Sequence, residues 1–194
     1  MPIINRFNLL EWASYLSILL VFFFPALWSQ NLLVGEGVDL YGTVWFYWWV
    51  NYAFKMGIDP SVTDMFFYPE GKDIFSHTGN NLLDAYLSIP FQEVFGFPNY
   101  YPIFLLFLLG LNLLAFRVMA KRIIGSKLGV WVATVFWMVN PFVIGELSMG
   151  RPTQSMFFAA FLAIWAFWTL QERMTLGWAV LLGVFVAVQG WCYW

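Results

Sequence analysis

The residues able to do chemistry in this 194-residue chain are gathered in one stretch, 34–98. It carries Glu36, Asp39, Asp59, Asp64, Glu70, Asp73, Asp84 and Glu93, the only histidine, His77, and a cluster of tryptophans. Carboxylates at a membrane surface can act as general bases toward hydroxyl acceptors or hold a divalent cation. Other chemistries are excluded by what the chain lacks: a Walker loop, HExxH, GxSxG, or a Cys/His cluster at metal spacing. His77 alone makes neither a zinc site nor a serine protease, and the single Cys192 gives no disulfide framework. Asp39 is the most pointed of the acids. It follows the first apolar segment by about ten residues, sits between Gly37 and Gly42, and precedes an aromatic helical pattern. Two readings stand side by side for it: a base held near the bilayer surface, or a cap on the helix that follows.

The elements that must position these acids are membrane spans. The chain is 61% hydrophobic and 10% charged, with a mean hydropathy of +0.71, which is foreign to an ordinary water-soluble domain. Its net charge of -2 gives no nucleic-acid footprint. The expected fold class is all-α: a polytopic transmembrane helical bundle with amphipathic helices in a long first extracytoplasmic loop. Spans are expected at 9–28, 100–120, 128–148, 152–170 and 176–194, with the outer loop at 29–99. The first apolar run is read as a retained span, since it ends in bulky Trp28 without a small-residue cleavage pattern. Ending on GWCYW without a polar flank, the chain reads as the N-terminal part of a longer protein.

Within the loop, Trp45, Trp48, Trp49 and Tyr52 recur at helical period, with Tyr47, Asn51 and Lys55 on another face. Their indoles either sit at headgroup depth or pack on neighbouring spans. Turns are expected at Asp59-Pro60 and Tyr68-Pro69-Glu70-Gly71, and a second amphipathic helix from about Asn80 to Phe95, broken or bent by Pro90. Asn140-Pro141 should bend the third span. With alternating spans, Arg6, Lys121, Arg122, Lys127 and Arg173 fall on one side and Lys55, Lys72 and Arg151 on the other. The positive-inside rule then makes the N-terminus cytoplasmic and the acidic loop extracytoplasmic, as in a bacterial inner membrane protein.

Four stretches, GVDLYGTVWFYWW around Asp39, FFYPEG from Phe66 to Gly71, GNNLLDAYLSIPFQEVFG, and NPFVIGELSMGRPTQ, give the chain a layout that resembles the start of the GT-C superfamily. These are integral membrane glycosyltransferases, among them the protein O-mannosyltransferases and the aminoarabinose transferases of lipid A. The likeness covers nearly all of the chain and matches the N-terminal half of such enzymes. It departs from many relatives in lacking a second acid beside the first: Val38 and Leu40 flank Asp39, and Glu36 is the nearest companion.

The resemblance implies transfer of a sugar from a polyprenyl-phosphate carrier to a glycan, lipid or protein acceptor outside the membrane. Such inverting displacement needs a base for the incoming hydroxyl and charge stabilisation for the departing phosphate. Asp39 is the implied base, and Glu36, Lys72, His77, Asp84 and Arg151 the implied substrate-binding residues. Arg151 has a planar fork suited to phosphate; its alternative is an ion pair with Glu146. Asp84 could face the site from the second loop helix, and a cation between Asp39 and Asp84 is conceivable, so the metal requirement stays open. His77 also reads as a loop hydrogen-bonder. Rival readings are a transporter, which would place ionisable groups within its spans, and a non-catalytic assembly subunit.

Overall fold

The computed structural model describes residues 6–28, 33–75 and 82–192, and the chain is helical over most of that length. Helix α1 (Arg6–Trp28) is followed by α2 (Val38–Met56), a two-residue antiparallel pair β1 (Val62–Thr63) and β2 (Lys72–Asp73), and α3 (Leu82–Phe95). Then come α4 (Tyr100–Ile123), α5 (Lys127–Met138), α6 (Pro141–Ser148), a 3-10 turn (Pro152–Ser155), α7 (Phe158–Glu172) and α8 (Leu176–Cys192). Among the described residues, three of the five expected spans are long and apolar enough to cross a membrane: Tyr100–Ile123, Lys127–Ser148 and Pro152–Glu172. Asn8–Val21 and Leu176–Cys192 are shorter apolar helices.

The loop helices form as their patterns require. Helix α2 closes on Gly57 in the left-handed conformation, φ 66°, whose N–H returns to the carbonyls of Ala53 and Phe54. Pro90 sits inside α3, which continues through it to Phe95, so the expected break is not made. Between them the two expected turn regions pair as the β1–β2 hairpin, Val62 opposite Asp73 and Thr63 opposite Lys72. Two-residue strands carry no readable period, so only the turns beside them could be expected.

The break at Asn140 is present. Helix α5 ends at Met138, and α6 restarts with Pro141 at its first position, where a missing N–H costs nothing, and with the Asn140 side chain accepting the Phe142 N–H at 2.8 Å.

Helix α4 is the central element, packing on α1, α3, α5 and α7, while α7 and α8 pack together. Between α6 and α7 the chain leaves helical form inside this bundle, reaching Asn112, halfway along α4 and so about 18 Å from its first residue. Backbone without helical bonds is tolerated at such depth only where protein satisfies its polar groups. Two amides do so. Asn112 donates to the Ser155 carbonyl at 2.7 Å and accepts the Phe157 N–H at 2.9 Å; Gln189 of α8 donates to the Met156 carbonyl at 3.0 Å and accepts the Ala160 N–H at 2.9 Å.

The charges within the apolar helices α1 and α4 are matched to each other. Arg117 of α4 holds Glu11 of α1 bidentately, Nε–Oε1 2.5 Å and Nη2–Oε2 2.9 Å, while the guanidinium lies 4.6 Å from the Trp12 ring centroid. Tyr15 donates to the same Glu11 at 3.0 Å. Both charges sit between helices and are neutralised there, an arrangement that ties α1 to α4 rather than leaving a group free to load.

Candidate functional site

The turn after α6 is where the loop meets the bundle. Gly150 adopts φ 74°, and its backbone lies against Leu40 at the start of α2. The Thr43 hydroxyl donates to the Gly150 carbonyl at 2.8 Å, and the Glu36 N–H to the Ser148 carbonyl at 2.7 Å. Gly35, φ 114°, makes a similarly close approach: a Cβ there would fall 2.9 Å from the Leu147 carbonyl oxygen. Two sequence stretches separated by more than a hundred residues, around Asp39 and around Arg151, are thereby locked side by side.

This docking brings two of the sequence-derived candidates together. Arg151 Nε donates to Asp39 Oδ2 at 2.7 Å, with the Arg151 side chain 39% and the Asp39 side chain 53% exposed. Glu146 of α6, 14% exposed, lies 3.7 Å from Arg151 Nη1. Arg151 therefore stands in an acid–arginine–acid cluster that includes the Glu146 expected beside it, but Asp39 is the nearer acid. The capping reading of Asp39 is not followed: it stands in the first turn of α2, Gly37 occupies the cap position, and no side chain caps that helix. A carboxylate there is favoured by the helix N-terminus even without a capping bond.

Asp84 has a different place. It is fully buried in α3, and its Oδ2 accepts the hydroxyls of Tyr47 and Thr153, each at 2.5 Å. Loss of water pushes its carboxyl up to about 6, against the lowering effect of those hydroxyl bonds and of the Ala85 N–H. The same burial, and after it the neighbouring acid, hold the Tyr47 hydroxyl well above its usual range. Asp84 thus pins α2, α3 and the 3-10 turn to one another through Tyr47 and Thr153, two residues beyond Arg151. Among the described residues, no group of three His, Cys, Asp or Glu side chains comes together as a metal site would require.

Of the other candidates, Glu36 is exposed beside the Gly35 contact, and its backbone is what binds the turn. Lys72 lies on β2, its Nζ 5.4 Å from the Phe67 ring centroid. His77 lies outside the described residues. Asp59 and Asp73 each close a local turn, accepting the N–H groups of Ser61 and Phe75 at 2.8 and 2.9 Å.

No protein-family model, curated protein or solved structure matches the chain. The site therefore has to be read from its own geometry.

That geometry gives two residues a role the sequence did not assign them. Thr153 and Tyr47 carry the buried acid, and neither has a local signal, because their partnership exists only once three elements are packed. Within the aromatic set, Trp49 is buried and donates from Nε1 to the Pro60 carbonyl at 2.9 Å, whereas Trp48 remains 44% exposed.

The Asp84 network makes stability depend on pH with a definite sign. An acid whose folded pKa is raised from the ordinary 3.8 to about 6 holds its proton longer in the folded chain than in the unfolded one. Its contribution is complete below the lower value and is lost as pH rises through the upper, by about 3 kcal/mol in all. Thermal unfolding in detergent should show a fall of this size between about pH 3 and 7 that is absent in Asp84→Asn. An equal fall in the variant would show that other groups carry it.

Proposed function

We propose that this protein is a GT-C-like glycosyltransferase of the bacterial inner membrane, moving a sugar from a polyprenyl-phosphate carrier to a hydroxyl acceptor on the extracytoplasmic face. The observation that carries this reading is the half-exposed Asp39–Arg151 pair, which puts a proton acceptor and a planar cation 2.7 Å apart. It stands where the first loop docks on a segment apolar enough to cross the bilayer.

The two side chains suit the two ends of the displacement. The acceptor oxygen attacks the anomeric carbon as the carbon–oxygen bond to the carrier phosphate breaks. Asp39 takes the hydroxyl proton, and Arg151 faces the charge that gathers on the departing phosphate. The donor's phosphodiester, singly charged, competes with Asp39 for the guanidinium fork and gains a second charge as the carrier phosphate departs, so donor binding would loosen the resting ion pair and free the carboxylate to act as base. Glu146, on the other side of Arg151, keeps the guanidinium oriented during that exchange. Five spans, with α2, the hairpin and α3 outside, complete the proposal.

The assay is direct. Native protein reconstituted in vesicles with polyprenyl-phosphate sugars is expected to release carrier phosphate in step with glycosylation of an added acceptor extract. Absence of release from every such donor, in a preparation whose fold is intact, would remove the enzyme from consideration. Orientation has its own check: cysteines replacing Lys55 and Lys72 should react with an impermeant reagent in intact cells, and one replacing Lys121 should not. The reverse pattern would overturn the topology and the transfer reading with it.

A further inference from the structure

A polar cavity lies at the far end of α4 from the Asp39 cluster. Near the first turn of α4, Tyr101 packs on Tyr47 of α2 with ring centroids 6.4 Å apart. Lys121 is twenty residues further on, about 30 Å along the axis. There α1, α4 and α5 enclose about 380 Å3, lined among others by Glu11, Arg117, Lys121, Gly125, Ser126 and Lys127. That is within the roughly 300–1,000 Å3 of pockets that take small ligands.

We infer that this cavity is a binding site for the phosphate headgroup of an anionic glycerophospholipid. Its charge is unbalanced in the direction such a ligand needs. Glu11 and Arg117 neutralise one another on its inner wall, their side chains 5% and 12% exposed. That leaves Lys121 and Lys127, both exposed and so within reach of a ligand. Neither is in an ion pair among the described residues, and Glu11 is the one carboxylate in the lining. The chain as a whole carries a net charge of -2, so the positive surplus belongs to this place and not to a generally basic surface.

The backbone adds to the lysines. Ser126 caps the twelve-residue α5 by accepting the Gly129 N–H at 3.0 Å, so the first turn of that helix opens on the cavity, where its dipole and remaining N–H groups favour an anion. The setting decides for a lipid over a dissolved ion. The cavity lies between the end of one apolar segment, Tyr100–Ile123, and the start of the next, Lys127–Ser148, the depth at which basic pockets between spans take anionic headgroups. Next to its lining residues, Leu10, Ile123 and Leu128 are 70%, 54% and 59% exposed. Acyl chains can lie along these side chains while the phosphate sits on the two ammonium groups; a water-borne phosphate would leave them uncovered.

Lipid binding is measured without donor or acceptor, so its outcome is independent of whether the protein transfers sugar. The protein in neutral detergent is titrated with phosphatidylglycerol and with phosphatidylcholine, and bound lipid is resolved by native mass spectrometry. Phosphatidylglycerol should bind at least about ten-fold more tightly, since each lysine beside the phosphate contributes about five-fold. Lys121→Gln and Lys127→Gln, both at exposed positions, should each weaken phosphatidylglycerol by about five-fold and leave phosphatidylcholine unchanged. Arg173→Gln removes the same charge from the exposed α7–α8 connection, outside the cavity, and should change neither. Equal affinity for the two lipids, or an equal loss in Arg173→Gln, would overturn the site and leave only net charge at work. Glycerol 3-phosphate in large excess should fail to displace phosphatidylglycerol; displacement would overturn the assignment to lipid.

Discussion

Asp39→Asn should lower sugar transfer by about 10²–10⁴-fold while leaving the protein folded and inserted. The amide matches the carboxylate in shape and can still accept a bond from Arg151 Nε, so the side-chain packing at the start of α2 is retained. What it loses is the capacity to take a proton from the acceptor. The folded state should hardly notice, because the Asp39–Arg151 pair is exposed enough to be worth under about 1 kcal/mol, and Glu146 still faces the guanidinium. Arg151→Gln gives the complementary measurement. If the guanidinium stabilises the departing phosphate, that variant should also be slow, but its deficit should shrink with donors whose leaving groups are better anions, whereas the Asp39→Asn deficit should not. Full turnover by Asp39→Asn in vesicles charged with lipid-linked sugar would end the transfer mechanism built on this carboxylate.

The sequence and the structure agree most closely where local rules dominate. The aromatic period from Trp45 to Tyr52 becomes α2, and Asn140-Pro141 ends one helix and starts another because the proline cannot extend α5 while asparagine caps α6. Agreement weakens as soon as a residue's role depends on a distant partner. Glu146, five positions before Arg151, is the partner that proximity in sequence suggests; the closer acid, Asp39, is 112 positions away and becomes visible only through the Gly150 contact. Asp84 carries the same lesson in reverse. Its place on an amphipathic helix is legible, but its burial under Tyr47 and Thr153 is not, and burial is what changes it from a candidate ligand to a positioning group. The three segments able to cross a membrane were readable from length and apolarity alone, since the bilayer imposes both. The non-helical turn reaching Asn112 was not, because the amides that make it tolerable come from α4 and α8.

Gly150→Ala should be the most damaging single methyl that can be added to this protein. At φ 74° an L side chain costs about 1–2 kcal/mol before any contact is considered. The added Cβ would then lie 2.4 Å from Leu40 Cα, 2.5 Å from its Cβ and 2.6 Å from its N. These are mostly backbone atoms at the start of α2, which no rotamer change can move aside. Relief would require α2 to withdraw from the turn, and that breaks the Thr43–Gly150 bond and separates Asp39 from Arg151 together. A loss of about 4 kcal/mol, or a Tm lower by about 10 °C, is the expected result in detergent. Gly42→Ala is the matched comparison. It sits within α2, where an added Cβ meets nothing within 4 Å, and alanine in a helix interior should stabilise by about 0.5–1 kcal/mol. If the two alanine variants melt together, α2 does not rest on Gly150, and the juxtaposition of Asp39 with Arg151 loses its structural basis.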